Sequence, residues 1–93
     1  MSKKVRKRIY LSGRVQGVGC RAYINQNANL LEISGWVKNL ADGRVEAVFA
    51  GDRDKVKEML KIAKQGPTFG KVTDIEISDE EYKGEFNKFR IKY

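Results

Sequence analysis

Apolar residues recur along the chain at two different spacings, which separate predicted strands from predicted helices. From residue 5 to 15 apolar and polar residues alternate, and this period of two predicts a half-buried strand. A glycine-rich loop follows. Beyond it, Ile24, Ala28 and Leu31 stand at i, i+4 and i+7, the spacing of a helix with one apolar face. The first third of the chain is therefore expected to form a strand, a loop and a helix.

A β-hairpin is predicted in the middle of the chain. The second strand runs from about residue 35 to 40, and Asp42-Gly43 supplies a turn of the kind that hairpins favour. From residue 44 to 50 the apolar residues alternate again, with Val45, Ala47 and Phe49 on one side. These two strands should pair with each other.

A second helix is predicted after this hairpin. Asp52 is a suitable N-cap residue, because its side chain can accept a hydrogen bond from the first turn. The helix has a clear apolar stripe, formed by Val56, Met59, Leu60 and Ala63. Gly66 followed by Pro67 is the expected order of residues at a helix C-terminus. We therefore expect the helix to end there.

Two further strands complete the pattern. The fourth strand is marked by Val72, Ile75 and Ile77. The short terminal strand has alternating apolar residues at Phe89, Ile91 and Tyr93. The resulting order, β-α-β-β-α-β plus a short C-terminal strand, is that of the ferredoxin-like α+β fold.

This fold class makes a specific statement about where loops meet. An antiparallel sheet carries both helices on one face, and strands one and two run in the same direction with strand three between them. The loop after strand one and the end of strand two should consequently lie at the same edge of the sheet. We expect a single domain over residues 1–93, with residues 1–4 as a flexible basic N-terminus.

The composition excludes several classes of catalytic site. The chain has one cysteine and no histidine, so neither an internal disulfide nor a clustered thiolate metal site is expected. Without histidine, the chain lacks the most common general base and metal ligand. Catalysis would have to use carboxylates, arginine, lysine, amides or backbone groups, and we expect no metal and no cofactor.

The charge balance points to phosphate-bearing partners. Lysine and arginine number 19 against 12 acidic residues, which leaves a formal net charge of +7. Such a field attracts metabolites, nucleic acid or anionic membranes without choosing among them. The basic run at residues 3–8 lacks the apolar region of a signal peptide behind it, and no segment approaches the roughly 20 apolar residues of a spanning helix. We expect a soluble cytoplasmic protein with no membrane partner.

The densest local signal is the loop from Gly13 to Arg21. Its glycines permit positive φ, and successive N–H groups followed by a helix N-terminus form a nest that binds anions. Arg21, at the start of the helix, offers a bidentate fork for phosphate oxygens. The segment matches neither a Walker A loop nor a Rossmann fingerprint. The spacing alone leaves open a plain turn followed by a solvated arginine.

Two motifs in register resemble those of the acylphosphatase family. The first is GRVQGVG at residues 13–19, followed by Arg21. The second is GWVKNL at residues 35–40, followed by DGRVE at residues 42–46. The resemblance extends over essentially the whole chain, at the length of stand-alone members.

The resemblance implies an enzyme that hydrolyses acyl phosphates without metal, cofactor or covalent intermediate. It implies that Arg21 and the loop N–H groups bind the phosphate and that Asn39 orients the attacking water. The implied phosphate-binding loop consists of Gln16, Gly17, Val18, Gly19, Cys20 and Arg21. The implied partners are a small-molecule acyl phosphate and inorganic phosphate as product or inhibitor, and a monomer is expected. Nothing in the sequence identifies the acyl group.

The chain departs from the family pattern at three positions. Cys20 stands where an aromatic residue usually precedes the arginine, and Ala22 is smaller than the aromatic residue common after it. Glu32 takes the place of a glycine that closes the first helix. If the backbone there is left-handed, the glutamate is strained by roughly 1 kcal/mol. We expect Cys20 to be buried beneath the loop.

Three alternative interpretations use the same residues. Asn39 is also the kind of strand-end residue that bonds its own turn. Cys20 beside a phosphate loop suggests a thiolate nucleophile, although we favour a small core residue because it adjoins Arg21 directly. An RRM-like nucleic-acid-binding module shares the element order and the basic charge. Residues 44–50 lack the aromatic pattern of its third strand, so we expect no nucleic-acid partner.

Overall fold

The computed structural model describes residues 3–93, and it contains the predicted elements in the predicted order. The strands are β1 (Lys4–Arg14), β2 (Ser34–Asn39), β3 (Val45–Asp52), β4 (Lys71–Glu80) and β5 (Phe89–Ile91). The helices are α1 (Cys20–Leu30) and α2 (Arg53–Gln65). The α+β ferredoxin-like prediction is thus confirmed.

Two residues of the N-terminal segment that is predicted to be flexible make defined contacts. β1 begins at Lys4, whose ammonium lies 2.7 Å from the carboxylate of Asp52. Lys3 also has a partner, because its carbonyl accepts a hydrogen bond from the N–H of Arg53 at 2.8 Å. Lys3 and Lys4 of the predicted flexible segment 1–4 thus contact the region where β3 meets α2, while residues 1 and 2 lie outside the described residues, and the flexibility of the segment stays a prediction.

The five strands form one sheet in the order β4-β1-β3-β2-β5. β3 lies between β1 and β2 and is antiparallel to both, so β1 and β2 run in the same direction as predicted. β4 pairs antiparallel with β1, whereas β5 pairs parallel with β2. The antiparallel prediction holds for the first four strands. The sheet as a whole is mixed because the chain crosses to the opposite edge before it forms β5.

The core lies between the sheet and the two helices, which pack on the same face. Ile9 and Leu11 of β1 point into it, as their alternation predicts. β3 differs from the prediction, because every residue from Val45 to Ala50 is buried. Its inward face meets the helices. On the other face, the carboxylate of Glu46 is held by the side chains of neighbouring strands, so this central strand has no solvated side.

The end of α1 shows a strained residue. Glu32 has a φ of +58°, which lies in the left-handed region where a side chain is strained. The N–H of Ile33 donates to the carbonyl of Ala28 at 2.9 Å, and the N–H of Glu32 donates to the carbonyl of Asn29 at 3.1 Å. These two bonds make a Schellman motif with a glutamate at the position where glycine avoids a steric penalty.

The two ends of α2 turn out differently. Gly66 ends the helix with a φ of +77°, as predicted. Asp52 is the N-cap residue of α2, as predicted, but its side chain does not make the expected capping hydrogen bond. The reason is competition. The Asp52 carboxylate is engaged by Lys4, and the first N–H of the helix donates to the backbone of Lys3 instead.

Candidate active site

The fold brings the glycine-rich loop and the end of β2 to one edge of the sheet, as the topology predicts. A cavity of about 220 Å³ opens there. Gly17, Gly19, Cys20 and Arg21 line it from the loop and the start of α1, and Asn39 lines it from the end of β2. The two predicted catalytic residues therefore share one cavity, although they stand 18 positions apart in the sequence.

Backbone conformation explains the glycines of this loop. Gly17 and Gly19 have φ values of +73° and +79°, a region that other residues enter only at a steric cost. Gly19 is the N-cap residue of α1 and has no side chain to bond the first turn. The first N–H groups of a helix have no partner within it, so they remain available to an anion in the cavity.

Gln16 has a structural position that sequence reasoning missed. Its side-chain amide donates to the carbonyl of Leu40 at 2.8 Å and to that of Arg44 at 2.9 Å. The amide thus ties the glycine-rich loop to the turn between β2 and β3, next to Asn39. The predicted topology placed the end of β2 near this loop, but no sequence pattern indicated the Gln16 contacts.

Two of the six predicted loop residues do not line the cavity, namely Gln16 and Val18. The Gln16 side chain points at the β2–β3 turn, and the Val18 side chain packs against the edge of the core. The contribution of these two residues to a bound anion would come through their backbone N–H groups.

Arg21 is half-buried at the mouth of the cavity. Its guanidinium carbon lies 5.0 Å from the centre of the Tyr93 ring, close enough for a cation–π contact. Within residues 3–93, no carboxylate lies within 4 Å of this guanidinium. The charge of Arg21 is consequently not neutralised by a neighbouring side chain of the described part.

Asn39 contains the one buried side-chain oxygen without a hydrogen-bond partner among residues 3–93. A buried acceptor left unpaired costs about 1–3 kcal/mol, so proteins seldom leave one without a functional reason. In the alternative interpretation Asn39 bonds its own turn, but its side-chain oxygen makes no such bond. Asn39 lines the cavity, so this oxygen lacks a protein donor at the place where the attacking water is expected.

Cys20 is buried as expected, with 2% of its surface exposed. Burial raises the pKa of its thiol to about 11, even though the residue begins a helix and adjoins Arg21. A thiol with that pKa is protonated at neutral pH and is a poor nucleophile.

No three side chains of the metal-binding types Cys, Asp and Glu come together in the part of the chain that the structure describes. In the same part, neither helix has the length and apolar character that a membrane crossing requires.

Comparison with known proteins decides the family. The family model for acylphosphatases matches residues 7–91. The chain belongs to the acylphosphatase family. An acylphosphatase of Syntrophobacter fumaroxidans is 48% identical over 90 residues, which cover 97% of this chain and 93% of that protein. One of Pyrobaculum islandicum is 46% identical, with 96% of this chain and 95% of that protein covered.

Solved structures agree with this assignment. The crystal structure of acylphosphatase from Bacillus subtilis superposes with a TM-score of 0.92 at 37% identity, and covers 96% of this chain and 99% of that chain. A full-length HypF structure contains the same fold in 12% of its chain, with a TM-score of 0.87 at 21% identity. The function predicted from the sequence is thereby confirmed: the chain is an acylphosphatase, a hydrolase that acts on acyl phosphates.

Proposed function

We propose that this acylphosphatase holds the phosphate of its substrate between Arg21 and the N–H groups of residues 16–21, and that Asn39 orients the attacking water. The observation that carries the proposal is the shared cavity. Arg21, whose guanidinium has no carboxylate within 4 Å in the described chain, and Asn39, whose side-chain oxygen has no partner, both line it. The Arg21 guanidinium is a cation without a neighbouring anion, and the Asn39 oxygen is an acceptor without a donor.

The reaction can proceed by direct attack of water on phosphorus. The water oxygen bonds to phosphorus while the bond from phosphorus to the acyl oxygen breaks, and the carboxylate leaves with the electron pair. One water proton is held by the Asn39 oxygen, and the other passes to a phosphate oxygen. The products are a carboxylate and dihydrogen phosphate, so atoms and charge balance. Because the leaving group is good, charge stabilisation and positioning can suffice without a strong base.

The role of Arg21 is tested by Arg21→Ala and Arg21→Lys. Arg21→Ala removes a charge-assisted fork, and we expect kcat/KM for benzoyl phosphate to fall at least ~10²-fold. Arg21→Lys should recover little, because a point charge does not reproduce the fork. Arg53→Ala is the matched control, since Arg53 also begins a helix but is exposed outside the cavity. Near-normal activity of Arg21→Ala would remove Arg21 from the site.

The role of Asn39 is tested by separating rate from phosphate binding. Asn39→Ala should lower kcat by roughly 10²–10³-fold, because the water is no longer positioned. Inhibition by inorganic phosphate should stay within a factor of about two, since the phosphate cradle is intact. The exposed Asn87→Ala is the control. A loss of phosphate inhibition in Asn39→Ala would mean that Asn39 binds phosphate instead.

The proposal includes a metal-free monomer in the cytoplasm, without a nucleic-acid or membrane partner. The absence of a nucleic-acid partner is supported by residues 44–50, which lack the aromatic pattern of an RRM third strand. Hydrolysis unchanged by chelator, a monomeric mass on gel filtration and no retention on RNA would support these points. Salt-dependent RNA retention would favour the RRM-like alternative instead.

A further inference from the structure

The cavity has lining residues to which the proposed function gives no contact with the phosphate or the water. Beside the loop residues and Asn39, it is lined by Ala22, Ile91 and Tyr93. These three contribute a methyl group, a branched aliphatic side chain and an aromatic ring. Among the lining residues in the described part of the chain, Arg21 alone has a charged side chain, and the proposed function assigns it to the phosphate.

β5 explains why these groups stand beside the catalytic residues. It pairs in parallel with β2, with Ile91 opposite Val37, and the N–H of Lys92 donates to the Val37 carbonyl at 2.8 Å. Phe89 anchors the strand by packing against Phe49, with ring centres 5.6 Å apart. Since alternate residues of a strand share a face, Ile91 follows Phe89 inward and reaches the cavity two residues further along.

We propose that Ala22, Ile91 and Tyr93 form the acyl subsite and that it takes acyl phosphates with an apolar group of aryl or branched-alkyl size. The inference rests on the proposed function, because it places the phosphate at Arg21. An apolar group gains from contact with such a wall, and an aromatic one can also pack against the Tyr93 ring. Tyr93 is 97% exposed, so a second charged or strongly polar group would keep its water there but would gain nothing from Ala22 and Ile91, and substrates such as carbamoyl phosphate are disfavoured.

The test measures kcat/KM for benzoyl phosphate and for acetyl phosphate with each variant. The ratio of the two values is compared with that of the unmodified protein, so the different intrinsic reactivities of the substrates cancel. Ile91→Ala shortens the apolar wall. We expect it to lower kcat/KM for benzoyl phosphate by about 10-fold and for acetyl phosphate by less than about 2-fold. Inhibition by inorganic phosphate should be unchanged.

A second variant does not depend on the stability of β5. Ala22 is exposed on α1, so Ala22→Leu places extra atoms in the cavity without disturbing the core. We expect the benzoyl-to-acetyl ratio to fall at least about 5-fold, because the space for a ring is reduced. Gln26→Leu is the matched control. It adds a leucine one helical turn further along the same exposed face, outside the cavity, and should leave the ratio unchanged.

The outcomes separate this proposal from the site assignment. A ratio within about twofold of that of the unmodified protein in both variants, with both variants folded, would overturn the acyl subsite. An equal loss on both substrates together with weaker phosphate inhibition would also overturn it, because Ile91 would then support the phosphate end. If Arg21→Ala stays active while the ratio shifts as expected, the phosphate assignment has failed and the acyl subsite stands.

Discussion

Replacing Glu32 by glycine should stabilise this protein, which is unusual for a substitution that removes a side chain. Glu32 is the C′ residue of the Schellman motif that ends α1, and its φ of +58° is the only positive φ of a non-glycine residue among residues 3–93. A Cβ atom in this conformation costs roughly 1–2 kcal/mol. Glycine avoids that cost, but its greater freedom in the unfolded chain destabilises the folded state by about 0.5–1 kcal/mol. The net gain is about 0.5–1 kcal/mol.

The side chain of Glu32 has one favourable contact that works in the other direction. Its carboxylate lies 2.8 Å from the ammonium of Lys55, and both groups are exposed, so the contact is screened by water and salt. The hydrogen bond from Lys55 holds the pKa of Glu32 below its ordinary value. The ion pair therefore contributes to stability above about pH 4.5 and is lost as the pH falls through the lowered pKa. The advantage of glycine should accordingly be larger in acid.

The measurement is chemical and thermal denaturation of the unmodified protein, Glu32→Gly and Glu32→Gln. Glu32→Gln keeps the Cβ atom and loses the charge, so the difference between the two variants isolates the backbone strain. A gain of about 0.5–1 kcal/mol corresponds to a rise in Tm of about 2–8 °C for a domain of this size. If Glu32→Gly is less stable than Glu32→Gln, the strain argument is refuted and the left-handed geometry carries no penalty here.

Three further predictions concern the site and the sheet. Cys20→Ser should retain most activity but lose about 1–3 kcal/mol of stability, because it buries a hydroxyl. Iodoacetamide should react appreciably with Cys20 only as the pH approaches the thiol pKa of about 11, and rapid alkylation at pH 7 would contradict this. Gln16→Ala loses two hydrogen bonds to carbonyls and should cost about 1–2 kcal/mol of stability while raising KM; an unchanged KM would show that the loop holds its shape without them. In denaturation experiments Gly35→Ala should lose on the order of 3 kcal/mol of stability or more, because its Cβ would lie 1.9 Å from the Val48 carbonyl oxygen. Gly43→Ala is the control and should lose about 1 kcal/mol, because a Cβ there would have no atom within 4 Å.

Local rules predicted most of the elements and part of the site. The alternation around Ile9 and the helical spacing of Ile24 and Ala28 identify which faces are buried, because these periods follow from strand and helix geometry. The positive φ of Glu32 is indicated by a single observation, which is that a glutamate stands where a glycine is expected. The motif containing Asn39 supplied that residue as a candidate, but only the structure shows its unpartnered oxygen.

The misplaced predictions share one cause, which is competition from residues distant in the sequence. Asp52 has the right chemistry for a helix cap, yet Lys4, 48 positions away, takes its carboxylate. Glu46 reads as a solvent-facing position in an alternating strand, but Arg8 and Tyr10 of β1 hold it in a buried one. A local pattern does not contain this information, since it depends on strand register.

The elements, the glycine-rich loop, most of the buried faces and the family follow from the amino-acid sequence alone, because each depends on local backbone preference, periodicity or a contiguous motif. The tertiary structure decided what those elements form together. Parallel pairing of β5 with β2 brings Ile91 and Tyr93 beside Arg21, 70 or more positions away, and the amide of Gln16 joins two loops that no local pattern connects. Such contacts arise only when the chain closes long loops to form a sheet, so their chemistry becomes visible only in the folded molecule.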